Sequence, residues 1–372
     1  MNFSFWENKN WFLDIDFAII GSGIVGLHTA LRLRELYPNS KIVIFEKGIL
    51  PQGASTKNAG FACFGSLSEI LSDLENHSEQ EVVNLIQNRW KGLQLLRKRL
   101  GDKTIGFQQN GGYELFFEKD SAIYEKCLDN LPRVNKMLSG YFDSEVFSIQ
   151  SNSFGFEKCK EKLIFNPFEG QIDTGNMMQH LLKEVYTHNI LILNKQKLLS
   201  FEDLGNKVEL EFEDIRITSK KAFFATNGFA SDITDNEVIP ARAQVLITKP
   251  IANLSIKGTF HIDEGYYYFR NFENRILLGG ARNIDFETET TTDFELNKKI
   301  QNQLDEILKS VILPNTNFEI EHRWCGIMGM GKSKNPIVKK LSENVFCGVR
   351  LGGIGVAIGS LIGKELAELV NT

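Results

Sequence analysis

Cysteine is scarce in this chain of 372 residues, and the five present (Cys63, Cys127, Cys159, Cys325 and Cys347) are scattered. They are odd in number and form no C-x-x-C, which excludes a disulfide framework and leaves free thiols in a reducing compartment as the expectation. The six histidines are dispersed as well. Without an H-E-x-x-H, no metal site is expected. No apolar run is long enough to span a bilayer, and no signal peptide is visible, so a cytoplasmic protein with no membrane span is expected. Basic residues are not in excess: a formal charge of -5 and a pI near 5.8 argue against a nucleic-acid partner. Internal repeats and low-complexity linkers are absent too. The oligomeric state stays open.

The remaining composition, 42% hydrophobic and 24% charged, is that of an ordinary globular chain, long enough for two domains or one large one. The 28 phenylalanines are core material. The chain is organised around Asp16 to Glu46. An apolar run, Phe17-Ala18-Ile19-Ile20, leads into Gly21-Ser22-Gly23-Ile24-Val25-Gly26. A helical pattern follows through Leu27, Ala30, Leu31, Leu33 and Leu36, and then a second apolar run, Ile42 to Phe45, ends in Glu46. Strand, glycine turn, helix, strand and acid in one unit of about thirty residues is the dinucleotide-binding pattern. Gly21 permits the turn, Gly23 lets a pyrophosphate approach the backbone, and Gly26 lets the helix pack against the sheet. The helix N-terminus supplies N–H groups and a positive dipole end for the phosphates. Glu46 stands where an acid accepts ribose hydroxyls, which points to FAD or NAD rather than NADP.

Behind Glu46, the stretch Lys47 to Phe61 is long, irregular and rich in small residues. Backbone laid against a flat ligand explains it better than a surface loop does. Residues 79 to 100 carry Val82, Leu85, Ile86, Trp90, Leu93 and Leu96 at helical spacing, with Gly101 as the stop. Thr174 is read as the cap of a helix through Val185. Further helix is expected near 291 to 311 and from Val356 to Val370. Strands are expected at Ile190 to Leu193, Val208 to Phe212, Ala222 to Ala225, Gln244 to Thr248, Tyr266 to Phe269 and Ile276 to Leu278.

Five stretches, in order, resemble the D-amino-acid oxidase and glycine oxidase superfamily of FAD-dependent oxidoreductases. They are Ile20 to Leu27, Gly53 to Gly60, Ala225-Thr226-Asn227-Gly228, Arg323-Trp324-Cys325-Gly326 with Pro336, and Arg350 to Ala357. The resemblance implies an α/β fold, in which a Rossmann-type FAD-binding domain (1–80, 165–235 and 320–372) is interleaved with an α+β substrate domain (81–164 and 236–319). The latter would be built on a mainly antiparallel sheet. By the same resemblance, Gly21, Gly23, Ile24, Val25, Gly26, Glu46 and Lys47 hold the ADP half of FAD. Ala54, Ser55, Thr56, Asn58, Ala59 and Gly60 lie along the flavin. Thr226, Asn227, Gly228, Gly326, Arg350, Gly352, Gly353, Ile354, Gly355, Val356 and Ala357 complete the cofactor site. A helix N-terminus at Gly355 would stabilise the negative charge that develops on reduction. Cys325 is one residue off the family's thiol position, so FAD is expected to be non-covalent.

Family members often bind a substrate carboxylate through an arginine and a tyrosine. One usual position for that arginine is Met328 here. Arg350 is the expected substitute, assisted by Tyr268 or by Arg270; Tyr266, Tyr268 and Arg270 share one strand face by alternation. Lys332 reads as solvent-exposed, and His28 as helix surface or packing. With a single dinucleotide unit, the expected activity is direct oxidation of a C–N bond of a small amine or amino acid to an imine, the flavin being reoxidised by oxygen or another acceptor. One alternative is a 2-hydroxy acid or polyol dehydrogenase, for which His322 is the nearest base. Another is a flavoprotein subunit of a larger assembly.

Overall fold

The computed structural model describes residues 3–371. Two eight-stranded sheets draw their strands from alternating segments of the chain. In the first, Ile15–Ile20 is central, parallel to Ile42–Phe45 on one side and to Arg216–Phe224 on the other. Leu191–Leu193 and Val345–Val349 extend it in the same sense. These strands read as continuous apolar runs because helices or a second layer cover both faces. Helix Ile24–Leu36 packs against helix Gly355–Glu368, and small residues set the approach. A Cβ at Gly359 would lie 2.7 Å from Ile24 Cγ2, and one at Gly363 2.6 Å from the Val25 carbonyl. His28 is buried at that seam, its Nδ1 2.9 Å from the Ile24 carbonyl oxygen. Burial lowers its pKa to about 4, so it is a neutral core residue.

The second sheet runs Ile320–Met330, Ile239–Thr248, Arg275–Gly280, Tyr267–Phe272, Thr259–Ile262, Gly112–Leu115, Lys162–Asn166, Ser148–Ser151. Every pair is antiparallel except Thr259–Ile262 with Gly112–Leu115. Much of the phenylalanine goes here: Phe154, Phe156, Phe260 and Phe269 stack or meet edge-on within 5.3 Å.

Two boundaries expected from sequence are corrected. Ile320–Met330 pairs with Ile239–Thr248 over its whole length, so the stretch from 320 to 330 belongs with the second sheet. Helix Glu79–Leu100 packs on helix Gly355–Glu368 beside the first sheet, and a Cβ at Gly92 would collide with the Ala357 carbonyl. Periodicity found that helix but not the layer it joins. Two smaller corrections concern helix starts. Asp173, not Thr174, caps helix Thr174–Thr187, its carboxylate accepting the Asn176 N–H at 2.9 Å. The helix expected at 291–311 begins only at Lys298, capped by Asn297, and ends in a wider π turn, Leu308–Ile312.

Candidate functional site

A cavity of about 1080 Å³ runs between the two sheets. One wall is the glycine turn. Gly21 has φ +104, a region that favours glycine. Gly23 caps helix Ile24–Leu36, and the first-turn N–H of Ile24 donates to Ser55 Oγ at 2.9 Å. The small-residue loop is thereby tied to the turn. Glu46 is buried at the end of its strand. Its Oε2 accepts from the Ser22 backbone N–H (3.1 Å) and Oγ (2.7 Å), and its Oε1 from the Gly48 N–H at 2.9 Å. At the opposite side Asn227, with φ +44, accepts the Leu351 N–H on Oδ1 at 3.1 Å, joining two glycine turns distant in sequence. Trp324 Nε1 donates to the Lys57 carbonyl at 2.9 Å.

Of the residues singled out from sequence for the cofactor, Gly21, Gly23, Ile24, Val25, Glu46 and Lys47 line this cavity, as do Ala54, Ser55, Asn58, Ala59 and Gly60. So do Thr226, Asn227, Gly326, Arg350 and the run Gly352 to Val356. Gly26, Thr56, Gly228 and Ala357 do not, and each has a packing role instead. Cβ atoms at Gly26 and Gly228 would run into the Gly21 and Met328 carbonyls, respectively. Thr56 Oγ1 donates to the Pro51 carbonyl at 2.7 Å, and Ala357 takes up the close approach of Gly92.

Three observations test whether a dinucleotide fits. A Cβ at Gly53 or Gly353 would meet nothing within 4 Å, so internal packing does not explain glycine there. Thr226 Oγ1 and Gln196 Oε1, both on residues of the wall, are buried without a hydrogen-bond partner among the described residues, a costly state. Finally, the helix N-termini at Gly23 and Ile354 both open onto the cavity. The residues fit.

The substrate-side expectations fare differently. Tyr268 lines the cavity, and burial pushes its phenol up to about 12. Arg270 does not line it. Its guanidinium donates to the backbone carbonyls of Ala59, Ile172 (3.0 Å) and Asn271 (3.2 Å). It is a strut between the second sheet and the small-residue loop that carries Ala59, and the expected role beside a substrate is corrected accordingly. Arg350, at φ +63, lines the cavity; its Nε donates to the Asn335 carbonyl at 2.9 Å and Nη1 lies 3.9 Å from Glu237. Its Nε and Nη1 are thus engaged by protein groups. His322 is exposed, stacked on Trp324 at 5.7 Å, and Lys332 is exposed; neither is part of the wall.

Sequence reasoning missed the residues at the inner end: Phe61, Cys63, Glu69, Arg89 and His261. Cys63, Glu169 and His261 bring three ligand-type atoms within 4.8 Å of one another, a convergence that sequence spacing could not reveal. His261 Nε2 is 2.9 Å from Glu169 Oε2, which also accepts from Thr259 Oγ1 at 3.0 Å. Burial opposes the imidazolium charge, but attraction to Glu169 and its hydrogen bond outweigh it and raise the pKa to about 9. Behind the wall, burial raises Glu114 to about 7 despite hydrogen bonds from Ser66 and Ser68.

The His261 pKa is higher folded than unfolded. The pair's stabilisation is therefore complete below about pH 6.5 and is lost as pH rises through about 9. The melting-temperature gap between wild type and His261→Gln is expected to be largest near pH 6 and to close towards about pH 10. Glu114, whose pKa is also raised by folding, loses stability in the same direction, between about pH 4.5 and 7, and cancels to first order in that difference. A gap that persists undiminished at high pH would exclude a charged His261.

A family model described as FAD dependent oxidoreductase matches residues 16–369. Gamma-glutamylputrescine oxidoreductase of Escherichia coli (strain K12) is 21% identical, over 98% of this chain and 86% of that protein. Glycine oxidase from Bacillus cereus superposes with a TM-score of 0.77 at 14% identity, covering 96% of this chain and 95% of that one. Iminodiacetate oxidase from Chelativorans sp. gives 0.74 at 16%, covering 95% of each. At these identities the solved structures speak for the fold alone. Among the described residues no helix is long and apolar enough to cross a membrane.

Proposed function

The chain belongs to the family of FAD-dependent oxidoreductases, and from that premise we propose that it oxidises a C–N single bond of a small amine or amino acid to an imine. The turn Gly21 to Val25 would hold the pyrophosphate, Glu46 the ribose, and Gly352 to Val356, with the helix N-terminus behind them, the polar edge of the flavin. FAD, when bound there, supplies a two-electron acceptor for hydride. The protein's part is orientation and exclusion of water. Phe61, whose ring meets His261 at 5.3 Å and Tyr268 at 5.5 Å edge-on, supplies an apolar wall that positions the substrate carbon.

The observation that carries this reading is the state of the one histidine of the wall. His261 Nε2 is committed to Glu169 Oε2 at 2.9 Å, and attraction to that carboxylate raises its pKa to about 9, which disfavours it as a base near neutrality. Oxidation of an alcohol needs a base for the hydroxyl proton, and His322, the candidate for that role, is outside the cavity. An amine reacts as its free base, whose lone pair drives hydride departure once the ammonium proton has left to solvent, so no side-chain base has to act in the hydride step. The names of the relatives, glycine oxidase, iminodiacetate oxidase and gamma-glutamylputrescine oxidoreductase, support a nitrogen substrate.

Non-covalent FAD is part of the proposal. Cys325 is off the wall, and Cys63, which is on it, has its thiol pushed well above the usual range by burial and by Glu169. The test is anaerobic mixing of holoenzyme with panels of amines, amino acids and 2-hydroxy acids. Bleaching of the flavin band is expected with a nitrogen compound. Bleaching by hydroxy acids alone would reverse the reading. Readmitting air or adding an artificial acceptor then separates oxidase from dehydrogenase.

A further inference from the structure

Cys63, Glu169 and His261 bring a thiol sulfur, a carboxylate oxygen and a ring nitrogen within 4.8 Å of one another, and the three residues are 6%, 1% and 5% exposed. Strand geometry puts them there. Phe61–Ala62 pairs antiparallel with Gly170–Gln171, Phe61 opposite Gln171 and Ala62 opposite Gly170. The same register, carried one residue further, sets Cys63 opposite Glu169, with both side chains on one face. Thr259 and His261 alternate onto one face of strand Thr259–Ile262, and both reach Glu169. Thr259 Oγ1 donates to Oε2 at 3.0 Å, and His261 Nε2 lies 2.9 Å from the same oxygen. Oε1 has no hydrogen-bond partner among the described residues. The three groups therefore stand on or directly beside paired strands, which hold their positions.

A thiolate, an imidazole and a carboxylate together are the donor set of a late divalent metal, zinc above all. Zinc bond lengths keep tetrahedral ligand atoms roughly 3.3–3.6 Å apart, so accommodating the ion takes side-chain shifts on the order of 1 Å. Charge balance is kept. One divalent ion takes the place of two protons, that of the Cys63 thiol and the one shared between His261 and Glu169, and both leave to solvent. The surroundings agree. Glu69 and Glu114 attract positive charge at His261. Arg89, the cation near the thiol, is itself drawn to Glu69 and Asp73. Thr259 supplies the supporting hydrogen bond that orients a ligating carboxylate. Cys63 and His261 both line the cavity, so the ion is reachable from it and keeps a fourth coordination position for water or for a substrate group.

We propose that Cys63, Glu169 and His261 form a binding site for Zn2+ or a similar late divalent metal at the inner end of the cavity, with Cys63 Sγ, His261 Nε2 and a Glu169 carboxylate oxygen as ligands. The site does not depend on which bond the enzyme oxidises.

The experiment is equilibrium dialysis of FAD-loaded, chelator-treated protein against Zn2+, with the metal counted per flavin. One Zn2+ per chain is expected in wild type. X-ray absorption at the zinc edge should show one sulfur neighbour at about 2.3 Å and nitrogen or oxygen neighbours at about 2.0–2.1 Å. Cys63→Ser and His261→Gln should each lower the affinity by more than about 100-fold, and Thr259→Val, which removes only the supporting hydrogen bond, by about 10- to 100-fold. Cys159→Ser, at the least buried of the five thiols, should keep full binding. Co2+ in place of Zn2+ should add a sulfur-to-metal charge-transfer band that Cys63→Ser lacks. No stoichiometric uptake by wild type, or a zinc shell with no sulfur or with two, overturns the site without any variant having to fold. So does a Cys63→Ser protein that loads FAD normally and keeps its zinc.

Discussion

Gly26→Ala is expected to give protein that is purified without flavin and melts several degrees lower than wild type. A Cβ at position 26 would overlap the Gly21 carbonyl and come within 3.4 Å of Ala225 Cβ. Both atoms of the clash belong to backbone or to the adjoining strand, so no side chain can rotate away. The helix must lift off the sheet, at a cost of about 1–3 kcal/mol or more for overpacking of this kind. The lifted helix also carries its N-terminus away from the place where phosphates would be held. Gly23→Ala provides the contrast. Its Cβ would meet only the Ser55 side chain, Oγ at 2.9 Å, which can turn aside. That variant is expected to fold with a near-normal melting temperature and still lose flavin, because the methyl group occupies the pyrophosphate approach. The ratio of visible to ultraviolet absorbance, read beside a thermal melt, separates the two. A yellow, stable Gly26→Ala protein would contradict the close packing described for the turn.

Arg270→Met is expected to cost about 3 kcal/mol or more of stability, with a weaker hold on FAD and no selective rise in KM. Arg270 is 3% exposed, and its guanidinium serves three carbonyls on three segments: Ala59 in the small-residue loop, Ile172 before a helix, and Asn271 in its own strand. Removing it leaves buried acceptors unpaired, each worth about 1–3 kcal/mol. Burial lowers its pKa to about 10, so it remains charged at neutral pH. Arg270→Lys should rescue little, since one ammonium cannot span the carbonyls that a planar fork reaches. Denaturant unfolding and flavin release measure the effect. An unchanged midpoint together with a raised KM for an anionic substrate would restore Arg270 to the substrate side and remove it as a strut.

Much of the architecture is legible in local pattern. The strand, turn, helix, strand and acid from Ile15 to Glu46 stand where spacing puts them. Helix Glu79–Leu100 starts and stops as its periodicity and Gly101 require. These features depend on neighbours a few residues away: apolar period, caps, and glycines at turns. The glycine stretches at 53–60 and 352–355 are readable for a related reason. Side chains at Gly53, Gly352 and Gly353 would meet nothing within 4 Å, so local packing does not demand glycine there.

Tertiary structure alone decided which sheet Ile320–Met330 joins and which layer Glu79–Leu100 covers, because pairing and packing partners lie far away in sequence. It also decided the fate of each cation. Alternation along Tyr267–Phe272 puts Arg270 on the same face as Tyr268, but cannot say that loop carbonyls meet the arginine before any ligand does. Arg350 precedes the predicted turn, and its Nε donates to the Asn335 carbonyl. Arg89 looks in sequence like one more polar residue of an amphipathic helix, and His261 like one more strand residue. Their surroundings come from distant segments: Glu169 for His261, and the Phe64 carbonyl with Glu69 and Asp73 nearby for Arg89. A side chain's type sets the charge it can carry. Burial and the partners brought by distant segments set whether that charge is spent inside the protein or left for a ligand.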